Sequence, residues 1–227
     1  MLSVLTLAFN IQPVKASGTI YIRADGSIDP PTAPIKRDGD LYTLIGNINT
    51  DTDGIIVLRN NLILDGAGYT VQGTRPAPNQ WRGVGISLSK RINVTVLDTE
   101  IKSFVDGIGL YGSSCHILGN KLTDNYYGIR LINSSSNSLL GNYLENNDCC
   151  IRLEEPSNYN NTIYENNIIG IGSRDDVSLR YSSNNTINGN NLTNGSIGLT
   201  SSSHNTIAGN SITSGGIGLL VSSNNVI

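Results

Sequence analysis

Apolar and polar residues alternate along this chain in short runs that recur at a nearly constant interval. From residue 85 onward, each repeat begins with a Gly-Ile-x-Leu step or a degenerate copy of it. The steps start at Gly85, Gly107, Gly128, Cys150, Asp176, Ser196 and Gly216, so that successive copies lie 22, 21, 22, 26, 20 and 20 residues apart. Alternation with a period of two is typical of β-strands, and repeats of this length are typical of solenoids.

Each repeat contains three short apolar runs bounded by Gly, Asn and Ser, which tolerate left-handed turn conformations. The second run carries an apolar residue that recurs as Ile117, Leu139, Ile163, Ile187 and Ile207. Because crossovers between parallel strands are overwhelmingly right-handed, the pattern predicts an all-β, single-stranded, right-handed parallel β-helix with coils of 20 to 26 residues. These five side chains are expected to form one buried column.

Asparagine recurs at two fixed positions of the repeat. The first set is Asn137, Asn161, Asn185, Asn205 and Asn225, and the second is Asn120, Asn142, Asn166, Asn190 and Asn210. Stacked coils place identical positions about 4.8 Å apart, so the side-chain amides are expected to hydrogen-bond along the stack. The abundance of asparagine therefore indicates a structural role.

The repeat does not extend over the whole chain. Residues 1–16 resemble a shortened signal peptide with Ser17 as the mature start, although a disordered tail is the alternative. Residues 17–53 are predicted to form an N-terminal cap, and residues 54–227 a β-helix that is incomplete at its C-terminus, so that the remainder of the polypeptide would stack on the last coil. A secreted, periplasmic or cell-surface location is expected, with no transmembrane span in the mature chain.

Composition narrows the choice of partners. A net charge of −3 and a pI near 5.3 argue against nucleic acid. Three cysteines form no disulfide framework. The adjacent Cys149 and Cys150 are more readily explained as small buried side chains than as a redox pair.

The opening of the repeat region resembles a known family. The run DGIIVL at residues 53–58, followed by NLILDGAGYTVQG at 61–73, is similar to NosD-type β-helix proteins of the pectin-lyase-like superfamily. The stretch YIRADGS at 21–27 is similar to secreted archaeal members. The resemblance implies an exported β-helix but no particular activity, since the superfamily contains lyases, hydrolases, epimerases and proteins without known chemistry.

The name NosD also implies copper, which prefers imidazole and sulfur ligands that converge on one point. The chain has only His116 and His204, four coils apart, and its single methionine is Met1. We therefore predict no copper site and no cofactor.

Two insertions in one coil, at residues 158–160 and 170–174, suggest where a ligand would bind. The outward positions beside them carry aromatic and charged residues, namely Tyr111, Arg130, Arg152, Glu154, Arg180 and Tyr181. Such groups suit sugars, and arginine suits uronic acids. Arg130 and Arg152 are expected to be neighbours that receive an anionic ligand, unless Glu154 already neutralises Arg152. The alternative is a solvated face with cross-strand ion pairs.

Asp148, Asp175 and Asp176 are the candidates for catalysis, because glycoside hydrolysis needs two carboxyl groups roughly 5–9.5 Å apart. Residues 174–177 resemble the paired-aspartate step of polygalacturonase-type hydrolases, although that family's Gly-His-Gly and Arg-x-Lys steps have no counterpart here. The alternative is that these acids are ordinary turn residues.

The sequence favours a structural or carbohydrate-binding role, with polysaccharide or cell-envelope glycan as the partner. An enzyme acting on acidic glycans is the first alternative. A NosD-like metal-delivery accessory is the second, and the ligand set argues against it.

Overall fold

The computed structural model describes residues 18–74, 83–172 and 175–227. Every regular element in these ranges is a β-strand. The predicted signal peptide at residues 1–16, the mature start at Ser17, and Arg174 lie outside the described residues. The prediction of an all-β solenoid is confirmed.

The strands form three sheets, which we call A, B and C. Sheet A contains ten strands: β1 (Ile20–Ile22), β2 (Ile28–Asp29), β6 (Ile55–Val57), β9 (Val84–Ser87), β12 (Asp106–Tyr111), β15 (Tyr127–Ile132), β18 (Cys149–Glu154), β21 (Val177–Arg180), β24 (Ile197–Thr200) and β27 (Ile217–Leu220). Sheet B contains nine: β3 (Ile35–Asp38), β4 (Leu41–Leu44), β7 (Leu62–Asp65), β10 (Ile92–Leu97), β13 (Ser114–Leu118), β16 (Ser138–Leu140), β19 (Thr162–Tyr164), β22 (Thr186–Asn188) and β25 (Thr206–Ala208). Sheet C contains eight: β5 (Ile48–Asn49), β8 (Thr70–Gln72), β11 (Glu100–Lys102), β14 (Lys121–Thr123), β17 (Tyr143–Glu145), β20 (Asn167–Ile169), β23 (Asn191–Thr193) and β26 (Ser211–Thr213).

The core lies inside the stack, where like residues of successive coils meet. In sheet B, β13, β16, β19, β22 and β25 pair in parallel so that the predicted apolar column is in register. Its members are Ile117, Leu139, Ile163 and Ile187, each 0% exposed, and Ile207, which is 2% exposed. The predicted buried column is therefore confirmed.

The described part of the segment predicted to be a cap, residues 18–53, contributes two strands to sheet A, two to sheet B and one to sheet C. β1, β4 and β5 pair in parallel with β6, β7 and β8, so the stack already begins in this segment. It differs from later coils in β2 and β3, which pair antiparallel with β1 and β4. These two strands occupy the outer edges of sheets A and B and cover backbone groups that an edge strand would expose.

Asparagine ladders hold the turns of the stack together. The Asn161 side chain accepts hydrogen bonds from the backbone N–H and the amide of Asn137, at 3.0 and 2.8 Å, and donates to Ser134 O and Asn185 Oδ1, at 2.9 and 3.0 Å. The second predicted set forms an equivalent ladder through Asn142 and Asn166. Because each buried amide satisfies backbone groups of neighbouring coils, the ladders explain the composition of the chain.

Candidate functional site

The outward face of sheet A carries the charged residues that the sequence singles out. In β12, Ile108 and Leu110 point into the core while the intervening position faces outward. The strand register places one outward residue of each coil above the next, in the order Ser87, Gly109, Arg130, Arg152, Ser178, Gly198 and Gly218. Arg130 and Arg152 are therefore neighbours, as predicted.

Glu154 lies between these two arginines. Arg130 donates to Glu154 Oε1 through Nε, at 2.7 Å, and through Nη2. Arg152 donates from Nε to Glu154 Oε2 at 3.3 Å and from Nη1 to Ser178 Oγ at 3.0 Å. Of the two possibilities left open by the sequence, the structure has the one in which Glu154 already pairs with Arg152, and the same carboxylate also pairs with Arg130.

Asp106 and Tyr111 extend this network toward the N-terminal end of the stack. The Tyr111 hydroxyl donates to Asp106 Oδ2, and Arg130 Nη1 lies 3.5 Å from the same oxygen. Burial raises the pKa of Asp106, while the Tyr111 hydroxyl and Arg130 partly offset that shift. Gly109 lies two residues before Tyr111 on the same strand, and a Cβ there would collide with the Tyr111 hydroxyl. The glycine thus allows the ring to fold back onto Asp106.

A cleft of about 510 Å³ opens beside Arg152 on the outward face of sheet A. It is lined by Tyr127, Cys149, Arg152, Asp175, Ser178 and Arg180. We call it the sheet A cleft. The Asp175 carboxylate lies over Gly198, where a Cβ would collide with its Oδ2. Within the described part of the chain, Asp175 and Arg180 form no hydrogen bond or ion pair through their side chains, so both present unused polar groups to the cleft.

Of the predicted site residues, the cleft brings together Arg152, Arg180 and Asp175. The other predicted site residues lie outside the cleft. Arg130, Glu154 and Tyr111 belong to the network of hydrogen bonds and ion pairs that also includes Asp106. Tyr181 follows β21 with a φ of 52° and is 57% exposed. Asp148 is half-buried before β18, and Asp176, which follows Asp175 in the sequence, is buried.

Sequence reasoning missed Tyr127 and Ser178. Tyr127 directly precedes the Gly-Ile-x-Leu step, and its ring centroid lies 4.8 Å from Arg130 Cζ, within the range of a cation–π contact. Ser178 is the x residue of its step and holds Arg152. The repeat could have pointed to both residues, because equivalent positions stack. Tyr127 is the register partner of Asp106, and Ser178 lies in the same column as Arg130.

Asp176 is an unusual occupant of its position, where most coils have glycine. It is 1% exposed, its Oδ1 lies 3.6 Å from the Cys150 thiol, and its Oδ2 has no hydrogen-bond partner among the described residues. A Cβ on either Gly170 or Gly195 would collide with this carboxyl group. Burial raises the pKa of Asp176 to about 6 from its ordinary 3.8, and the neighbouring Asp175 adds to the shift.

Replacing Asp176 by asparagine should therefore stabilise the fold at neutral pH. The carboxyl group holds its proton more tightly in the folded state than in the unfolded state. The stability that the protonated group gives the fold is therefore present at low pH and is lost as pH rises from 3.8 to about 6. Urea unfolding at pH 7.5 should show Asp176→Asn to be more stable than the parent by about 2 kcal/mol. The exposed Asp38→Asn serves as the control. Equal stability of parent and Asp176→Asn at both pH 4 and pH 7.5 would contradict this assignment.

Possible metal ligands are scattered. His116 and His204 are both exposed, on β13 and just before β25. Burial raises the pKa of the Cys149 thiol to about 12 and that of Cys115 to about 11. Across residues 18–74, 83–172 and 175–227, no three His, Cys, Asp or Glu side chains come together in a way that could hold a metal ion. This donor set does not fit copper, which prefers converging imidazole and thiolate groups.

Comparisons with known proteins agree with the fold. Residues 47–227 match the family model described as "Periplasmic copper-binding protein (NosD)", whereas no curated protein matches the chain. Among solved structures, the chain is similar to a mutant of DFA-IIIase from Arthrobacter chlorophenolicus A6 in complex with DFA-III, with a TM-score of 0.51 and 11% identity over 77% of this chain. The chain spans 48% of the length of that protein. At this identity the likeness is one of fold alone. None of the described stretches forms a helix that could cross a membrane.

Proposed function

Because this chain belongs to the NosD family, we propose that it is an exported β-helix protein that binds carbohydrate in the sheet A cleft. Export rests on the family's description as periplasmic. The DFA-IIIase structure offers a precedent for a carbohydrate ligand on a related fold, because it contains DFA-III.

The observation that carries the proposal is the set of unused polar groups around the cleft. Arg180 supplies a guanidinium fork and Asp175 a carboxylate, and both are free to meet a ligand. The Tyr127 ring adds an aromatic surface for a sugar. Since Arg130 and Arg152 are already paired with Glu154, Arg180 is the residue that receives a carboxylate, and uronic acids are the preferred ligands.

Binding is favoured over catalysis by the number of free carboxyl groups. Among the described residues that line the cleft, Asp175 is the one with a carboxylate. Asp106 and Glu154 are held by arginines. Glycoside hydrolysis requires two carboxyl groups on either side of the bond that breaks, so the cleft is better suited to holding a glycan than to cleaving it.

Replacing Arg180 by alanine should weaken binding of oligogalacturonate by about tenfold, because one charge-assisted pair is lost. Titration calorimetry measures the affinity, and a reducing-sugar assay on the same samples should show no cleavage. The exposed Lys36 on β3 provides the matched control, since Lys36→Ala removes a positive charge far from the cleft. If Arg180→Ala and Lys36→Ala bind the ligand alike, the cleft is not the site.

The copper-binding description of the family leads to a second expectation. The residues described above do not fit a copper ion, so we expect the chain to bind Cu(II) only as weakly as any surface with isolated histidines. Calorimetric titration of the full chain with Cu(II), and competition with a chelator for Cu(I), both measure this. Stoichiometric binding with a submicromolar dissociation constant would show that copper ligands exist in this chain.

A further inference from the structure

A second cleft, of about 580 Å³, lies on the outward face of sheet C. Its floor is formed by Lys102, Thr123 and Glu145, and Ile169 and Ile171 stand at one end. We call it the sheet C cleft. It shares no lining residue with the sheet A cleft, so it is not needed for the function proposed above.

The floor follows the axis of the stack. Lys102, Thr123, Glu145 and Ile169 are register partners on four successive strands, β11, β14, β17 and β20. Neighbouring strands lie about 4.8 Å apart, which is close to the advance of one pyranose unit in an extended glycan. The cleft therefore offers one residue to each successive unit of such a chain.

Thr123 supplies an unused hydroxyl group at the centre of this floor. The residue is only 9% exposed, yet its hydroxyl has no hydrogen-bond partner among residues that the structure describes. Among the described residues, the buried side-chain polar atoms without a partner are Asp106 Oδ1 and Asp176 Oδ2, so the Thr123 hydroxyl reaches solvent. It lines the open cleft and is available there to a ligand.

Charge along the cleft is uneven. At one end Glu100 is held by Lys121, at 2.9 Å, and by Lys102, at 3.8 Å. Next to Thr123, Asp124 accepts from the Asn146 amide, and Glu145 accepts from the Tyr143 hydroxyl at 3.0 Å. Neither acid has a cation in ion-pair contact within the described ranges. A ligand with a positive charge would be favoured at this point and one with a carboxylate disfavoured.

The far end of the cleft is apolar. Ile169 is half-buried, and Ile171, in the inserted segment that follows β20, is 42% exposed. An exposed isoleucine next to a polar floor suits the C–H face of a sugar ring, which buries apolar surface while its edge groups remain hydrogen-bonded.

We propose that the sheet C cleft binds an extended glycan that contains amino sugars. The ammonium group lies against Asp124 and Glu145, a hydroxyl of the same chain pairs with Thr123, and an adjacent ring covers Ile171. This ligand differs in charge from the uronic acid proposed for the sheet A cleft, so the two clefts select opposite kinds of sugar.

The test compares a glucosamine hexamer with its fully N-acetylated counterpart, which has the same length but no charge. The full chain should bind the glucosamine hexamer at least about tenfold more tightly, because charged hydrogen bonds form with that ligand alone. Glu145→Gln and Thr123→Val should each weaken its binding by about tenfold. Thr213→Val, at an exposed position on the same face, and Arg180→Ala, in the sheet A cleft, should leave it unchanged.

Three results would overturn the proposal. One is that neither hexamer binds, and another is that the acetylated hexamer binds as well as the charged one. The third is that Glu145→Gln, which removes a charge without changing shape, binds like the parent. Because Arg180→Ala reports on the sheet A cleft alone, failure of either proposal is seen without the other.

Discussion

Replacing Asn161 by alanine should lower the free energy of unfolding by about 3–6 kcal/mol, the largest loss we expect from any single substitution in the stack. The Asn161 side chain makes four hydrogen bonds and is 1% exposed. Its removal leaves the Asn137 N–H and the Ser134 carbonyl buried without partners. Each such group costs about 1–3 kcal/mol. Urea unfolding followed by circular dichroism measures the change.

Asn188→Ala is the matched control. Asn188 is an outward asparagine on β22, and the next coil has Ala208 at the same register position, so this substitution should cost less than about 0.5 kcal/mol. If Asn161→Ala were no more destabilising than Asn188→Ala, the ladders would be a consequence of the stack and would not stabilise it.

Truncating Ile163 to alanine should cost about 2–5 kcal/mol. Ile163 is 0% exposed and lies in register between Leu139 and Ile187. Since the coils above and below are fixed by backbone hydrogen bonds, the stack cannot close around the cavity. The same unfolding measurement reports the loss.

The neighbouring Thr162 faces outward on the same strand, β19, and gives the control. Thr162→Ala should change stability by less than about 0.5 kcal/mol. Comparable losses for Ile163→Ala and Thr162→Ala would mean that inward and outward positions are not distinguished as the register requires.

The repeating part of the fold could be predicted because successive coils place the same types of residue at equivalent positions. Residues equivalent to Ile163 and Asn161 recur in coil after coil, so aligning the repeats reveals both the core and the ladder. The antiparallel strands β2 and β3 have no such signal, because they occur once each and depend on the edges that β1 and β4 would otherwise leave unpaired.

The candidate site could be predicted only in part. The face and the adjacency of Arg130 and Arg152 follow from the repeat, because equivalent positions stack. Which carboxylates pair with them depends on side-chain conformation, and the sequence could not decide whether Glu154 is one of them. The role of Ser178 also depends on this geometry, since its hydroxyl matters only because Arg152 reaches across to it.

The central claim is that the sheet A cleft binds carbohydrate, and it is tested most directly by mapping the binding surface. Nuclear magnetic resonance titration of the labelled chain with oligogalacturonate reports which residues sense the ligand. We predict that the shifts concentrate on Tyr127, Arg152, Asp175, Ser178 and Arg180. The absence of any shift at saturating ligand, or shifts confined to other faces of the stack, would contradict the account.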